Sequence, residues 1–180
     1  MSTIEVNKLA PLADNGTVTL GDSGDTITIP SGVTITNSGT QTGFGGENTP
    51  AFCVHLDANQ AVSNGTATKL TVTSEDFDTD NAFADSKFTV PSGKAGKYFF
   101  VGKARMVNTV GSITLEFYKN GSNAGLQFRS QSYSTTYESA IVTAILNLSV
   151  GDYIELYGTQ VSGQANDLTS KLFQGYKIIT

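Results

Sequence analysis

From Ala51 to the C-terminus the sequence is a train of short runs in which apolar and polar residues alternate, each closed by turn chemistry. Alternation with period two is the mark of a strand with one buried face; a helix would repeat its apolar positions every three to four residues. Residues 51–56 set Phe52, Val54 and Leu56 on one side and Cys53 and His55 on the other. Further strands are expected at 69–73, 88–90, 97–106, 113–119, 125–130, 138–148, 153–159 and 170–179. Between them lie Asn64-Gly65, Pro91-Ser92-Gly93, Lys119-Asn120-Gly121-Ser122 and Val150-Gly151-Asp152. Asn-Gly between two apolar runs is a strong hairpin signal. Many short strands at this spacing predict an all-β sandwich or barrel.

Length allows one globular domain plus an appendage, or one large all-β domain, in 180 residues. Thr and Val favour strands, and the abundant Gly, Asn and Ser favour the turns between them. The formal net charge is −5, and the eleven basic residues are scattered. A nucleic-acid surface needs concentrated positive charge, so nucleic acid is not an expected partner. The acidic pI, near 4.7, argues against anionic membranes, and no apolar run is long enough to predict a transmembrane helix. Neutral glycans or other proteins are the expected partners. The N-terminus lacks the basic and apolar regions of a secretory signal, so synthesis in a cytoplasm and release by a route such as lysis are expected. The single cysteine, Cys53, rules out an intrachain disulfide.

Ahead of the head the chain reads differently. Residues 1–13 place Ile4, Val6 and Leu9 on a short segment that can bury little by itself. This is expected to be a docking arm; the alternative is a frayed terminus. Three rungs follow, Thr17-Val18-Thr19-Leu20, Thr26-Ile27-Thr28-Ile29 and Val33-Thr34-Ile35-Thr36, separated by turn residues. Each alternates threonine with an aliphatic residue. Three short rungs cannot close a core, because each leaves unpaired edges and one apolar face. Three copies wound about one axis would bury those faces, which makes this a trimeric β-shaft; the alternative is a small sheet folded back on the head. A Gly-rich polar linker covers 37–49. The expected organisation is therefore arm 1–13, shaft and linker 14–46, and head 47–180.

The head resembles the globular head of complement component one-q and its tumour-necrosis-factor-like relatives over residues 50–180. Phe88 and Pro91 match the Phe-x-x-Pro stretch of that family, and Gly96, Tyr98 and Phe100 its Gly-x-Tyr-x-Phe stretch. Gly151 and Asp152 look like its Gly-Asp turn, and Phe173 and Gly175 like its final strand, where glycine lets a neighbour approach. Ser92, Gly93 and Lys94 lengthen one turn, and no collagen repeat precedes the head. The resemblance implies a jelly-roll head that assembles as a homotrimer and binds without doing chemistry. Met1-Ser2-Thr3-Ile4, then Val6-Asn7-Lys8, followed by the rungs Gly24-Asp25-Thr26-Ile27-Thr28-Ile29-Pro30-Ser31-Gly32-Val33-Thr34-Ile35, make residues 1–45 resemble fibre and appendage proteins of tailed phages, especially marine ones. That implies a virion location, with the arm attached to other particle proteins and the head facing outward.

Three groups invite chemical readings. Cys53 and His55 share one strand face, the spacing of a nucleophile and base, yet no orienting acid or oxyanion loop is evident. The resemblance puts the first strand near a threefold axis, where three copies of His55 would be able to hold a metal; the alternative is an interface or core strand with a small apolar thiol. Asp76, Asp78 and Asp80 alternate like the opening of a calcium loop. Asn81 and Lys87 stand where an EF-hand needs Gly and Glu, so no EF-hand is present. Calcium is the one ion this segment would take, the alternative being a solvated acidic loop, and no other cofactor is implied. Tyr133 and Tyr137, among small polar residues, suit receptor recognition by stacking; the alternative is a plain exposed loop or a trimer contact. No carboxylate pair is assignable to glycoside hydrolysis. The expected function is a non-enzymatic phage tail fibre or appendage binding a host-surface glycan or protein. The alternatives are a fibre decorating the capsid and a free-standing lectin-like module.

Overall fold

A computed structural model describes residues 16–39, 48–107, 110–133 and 137–178. The chain divides into two units, Met1–Thr42 and Gly43–Thr180. The proposed arm, with Ile4, Val6 and Leu9, lies outside the described residues.

The described part of the first unit, 16–39, carries two of the expected turns. Asp25 N–H donates to Asp22 O at 3.0 Å, and Val33 N–H donates to Pro30 O at 3.2 Å. No strand ladder forms among residues 16–39. The aliphatic residues of all three rungs, Val18, Leu20, Ile27, Ile29, Val33 and Ile35, are exposed. The expectation of strands within the rungs is not met in one chain, because within 16–39 no neighbouring segment pairs with them.

The second unit is built from strands, with no helix among its described residues. They are β1 (Ala51–Leu56), β2 (Gln60–Val62), β3 (Thr68–Lys69), β4 (Ser74–Asp78), β5 (Phe83–Ala84), β6 (Lys87–Thr89), β7 (Gly96–Met106), β8 (Gly111–Lys119), β9 (Ser122–Ser132), β10 (Glu138–Leu148), β11 (Tyr153–Val161) and β12 (Asn166–Lys177). The first sheet has the order β10-β7-β12-β1-β4, with β2 also on β12. The second has the order β5-β6-β11-β8-β9, with β3 also on β11. Every strand pairing is antiparallel. From β7 onward the chain repeatedly crosses between sheets.

The inward residues of both sheets make one core. At its centre Phe52 stacks on Phe88 with centroids 5.0 Å apart and meets Phe173 edge-on at 5.0 Å. Phe100 bridges Phe88 and Phe117. Aromatic pairs of this kind add about 0.5–1.5 kcal/mol each beyond their burial.

Several expected elements shift. Residues 69–73 pair as a strand only at Thr68–Lys69, although Leu70 and Val72 are buried as alternation requires. Side chains replace the missing neighbour: Thr71 N–H donates to Gln60 Oε1 at 2.9 Å and Val72 N–H to Ser86 Oγ at 3.0 Å. The acidic stretch is no free loop. Its first part is β4, an edge strand on β1 with a bulge beside Cys53. The β9 strand is longer than expected because the Asn120-Gly121 turn, with φ of 53° and 77°, hands the chain directly into it. The β5–β6 hairpin turns on Asp85 and Ser86, both at positive φ, without an Asn-Gly signal.

Candidate functional site: the outward face of the first sheet

Alternation sends every second residue of the first sheet away from the core, and pairing register arranges these residues in rows. One row reads Ile145, Phe99, Tyr176, Ala51 across β10, β7, β12 and β1. The next reads Thr143, Val101, Gln174, Cys53, Phe77, ending on β4. A third reads Ile141, Lys103, Leu172, His55. A one-layer sandwich face turned to water is normally polar. Here the first row is apolar throughout, and Ile141, Ile145, Phe77 and Tyr176 are exposed. Phe77, Phe99, Val101 and Tyr176 also wall a depression of about 160 Å³. Contiguous apolar area of this kind marks an interaction surface.

Sequence reasoning missed these residues, though a signal was present. In Lys97–Met106 both phases of the alternation carry large apolar groups: Tyr98 and Phe100 on one, Phe99 and Val101 on the other. A strand apolar on both faces is built to be covered on both.

At one side of this face Cys53 Sγ donates to Asp76 Oδ2 at 3.3 Å, and His55 Nδ1 lies 3.3 Å from the same oxygen. Thiol and imidazole thus share an acceptor and do not act on each other. Partial burial, with Asp76 adding to it, pushes the Cys53 thiol up to about 11. At neutral pH it stays a thiol, the reverse of an activated nucleophile.

The three aspartates do not converge. Asp76 turns to Cys53 and His55. Asp78 Oδ2 accepts from Phe83 N–H at 2.7 Å. Asp80 accepts from Thr79 Oγ1 at 2.7 Å and lies 3.6 Å from Lys94 Nζ. No group of three metal-ligating side chains occurs among the described residues. The donor set expected for calcium therefore does not fit a single ion.

Tyr133 is 89 % exposed, and the Tyr137 ring sits 4.1 Å from the Arg105 guanidinium carbon. They flank 134–136, outside the described residues. The remaining motif residues lie in the framework. Phe88, Tyr98, Phe100 and Phe173 are fully buried. Pro91 opens the lengthened turn, where Lys94 N–H donates to Pro91 O at 3.2 Å. Tyr98 O–H anchors that turn by donating to Lys94 O at 2.6 Å, and burial pushes its hydroxyl up to about 12. Gly96 begins β7, and Gly151 stands in the turn before β11. Asp152 accepts from Lys119 Nζ at 2.8 Å, Asn120 Nδ2 at 2.7 Å and Ser149 N–H at 2.8 Å. These partners, Lys119 foremost, hold its carboxyl at about 2. Gly175 has no room for a side chain: a Cβ there would lie 2.5 Å from Phe100 Cδ1 and 2.8 Å from Phe99 O.

No family model matches the chain, and no curated protein matches it. Solved structures do. The globular domain of the zebrafish complement 1qA protein matches with a TM-score of 0.53 and 22 % identity, covering 72 % of this chain and 98 % of that one. Murine APRIL matches with a TM-score of 0.54 and 13 % identity, covering 71 % and 99 %. The Eiger TNF of S. frugiperda matches with a TM-score of 0.51 and 15 % identity, covering 72 % and 93 %. The second unit therefore has the jelly-roll sandwich fold of complement one-q and tumour-necrosis-factor heads. At these identities the likeness concerns the fold.

Proposed function

We propose that this chain is a non-enzymatic binding module that works as a homotrimer, and that it serves as a tail fibre or appendage of a phage particle. The observation that carries the reading is the apolar outward face of the first sheet. An exposed face of this composition needs a cover, and a second copy supplies one at no cost in new sequence. Rotated copies close into a ring when the contact is head-to-tail. The exposed rungs of residues 16–39 support the same symmetry, since three copies would pair their edges and bury their aliphatic side chains. The fold neighbours support a binding role, and the raised thiol of Cys53 argues against that side chain acting as a nucleophile.

In this reading residues 1–13 attach the trimer to other virion proteins, and the head presents its uncovered surfaces to a host-surface glycan or protein. Tyr133 and Tyr137 are the residues proposed to meet it. Weak contacts add up because several heads are tethered together. Particles purified from a host expressing the chain test this. The intact chain is expected in the particle fraction by mass spectrometry, and a chain lacking residues 1–12 is expected to be absent from it while keeping its oligomeric mass. Recovery of both forms only outside the particles would overturn the attachment role and leave a free-standing lectin-like module.

A further inference from the structure

The outward face of the second sheet has a different character. Register places Asn123, Tyr118, Glu155 and Lys87 in one row across β9, β8, β11 and β6. The next row holds Gln127, Glu116, Tyr157 and Lys69 across β9, β8, β11 and β3. Tyr118 and Tyr157 stack with centroids 3.8 Å apart at 19°. Tyr153 stands two residues before Glu155 on the same face, with Lys87 Nζ 4.8 Å from its ring centre.

We propose that this face is a binding platform for an unbranched neutral hexopyranose oligosaccharide, centred on Tyr118 and Tyr157. The inference rests on the binding-head reading and gives that head its ligand class and site. A stacked tyrosine pair alone would serve to brace the sheet. What exceeds that role is the array of polar groups fixed around the rings. Glu155 is 8 % exposed and held by Lys69 Nζ at 2.7 Å on Oε1, while its Oε2 carries no hydrogen bond among the described residues. Glu116 is held by Asn123 Nδ2 at 3.1 Å. Burial and the nearby Glu155 raise the Tyr157 hydroxyl, so it remains a donor at neutral pH.

The charges also select the ligand. Lys69 is matched by Glu155, and Lys87 by an aromatic face. An anionic ligand would have to compete with Glu155 for Lys69 and would meet the Glu116 carboxylate, which is held only by an amide, whereas sugar hydroxyls can bond to groups already in place. Pyranose rings offer apolar C–H faces to tyrosine and hydroxyls to carboxylate, amide and ammonium. Four strands at about 4.8 Å spacing give a face about 15 Å across, enough for consecutive rings. The rings and their partners are already ordered, so little entropy is lost on binding.

The test is calorimetric titration of the full chain with maltohexaose, cellohexaose and chitohexaose, and with oligogalacturonate as the anionic counterpart. Saturable binding of at least one neutral hexamer is expected, with oligogalacturonate much weaker. Tyr118→Ala and Tyr157→Ala are each expected to weaken it about tenfold or more, the loss seen when an aromatic anchor is removed. Tyr157→Phe keeps the stack and removes only the hydroxyl, so it carries the test if an alanine variant fails to fold; a several-fold loss is expected. Absence of saturable binding to all three neutral hexamers overturns the platform, as does unchanged affinity in the tyrosine variants. Binding that is lost instead in Tyr133→Ala overturns this site but keeps a glycan-binding head. Presence of the chain on particles tests the attachment reading separately.

Discussion

Ile145→Lys is expected to leave the chain a monomer, abolishing the proposed trimer without unfolding the head. Ile145 is 62 % exposed in the single chain, at the end of the apolar row that runs through Phe99 and Tyr176. A lysine there meets water in a monomer, and substitutions at such positions change stability by no more than about 0.5 kcal/mol. In a trimer the same side chain would be placed against apolar surface with no carboxylate assigned to it. An uncompensated buried charge costs about 3–5 kcal/mol, and the penalty falls on every copy. Light scattering should therefore show one-chain mass, while circular dichroism should retain the β-sheet signal. A variant that keeps the wild-type mass would move the interface off this face. The contrast with Phe99→Ala is useful, because Phe99 contacts Tyr176 within one chain and its loss perturbs the monomer as well.

Gly175→Ala is expected to be among the most destabilising single changes in the head. The added Cβ would lie 2.5 Å from Phe100 Cδ1, and moving outward is barred by Phe99 O at 2.8 Å. Phe100 cannot yield easily, since its ring already packs against Phe52, Phe88, Phe117 and Phe173. Overpacking of this kind costs about 2–3 kcal/mol. For a domain of this size that is a fall of roughly 5–10 °C in melting midpoint, read at fixed protein concentration because association also stabilises. Phe100→Leu destabilises alone but makes room for the new methyl. The double variant should therefore lose less than the sum of the two single changes. Strict additivity would mean that the methyl is accommodated elsewhere and that the close approach is not what Gly175 serves.

Strands β1, β7, β10 and β11 were legible because their alternation is long and regular. Phe52, Val54, Tyr98, Phe100, Ile154 and Leu156 sit on the inward side, as the period requires. The Asn120-Gly121 hairpin was legible for a different reason: few other residue pairs tolerate positive φ at both positions. What stayed hidden was held by side chains or by distant pairing. Thr71 and Val72 take Gln60 and Ser86 side chains in place of a strand partner, a substitution that no local pattern reports. The acidic stretch reads as a solvated loop because an edge strand needs only one neighbour, and its pairing on β1 is distant in sequence, as Cys53 with Phe77 shows. The candidate face was written in the sequence as the second apolar phase of β7. Its full extent depends on which strands lie side by side, and alternation within one strand carries no information about that order. The tyrosines at 118 and 157 are likewise brought together only by the β8–β11 register. Tyr133 and Tyr137 stand out by their local composition, which is the kind of signal a sequence shows most readily.

In the proposed homotrimer the outward face of the first sheet is covered by copies of the same chain. The most direct measurement is the solution mass of the full chain by multi-angle light scattering across a dilution series. A species near three times 18.9 kDa that persists on dilution is the expected result. A single species at 18.9 kDa, soluble and folded, would contradict that arrangement. Phe77, Phe99, Ile141, Ile145 and Tyr176 would then face water, and the homotrimer would have to be abandoned.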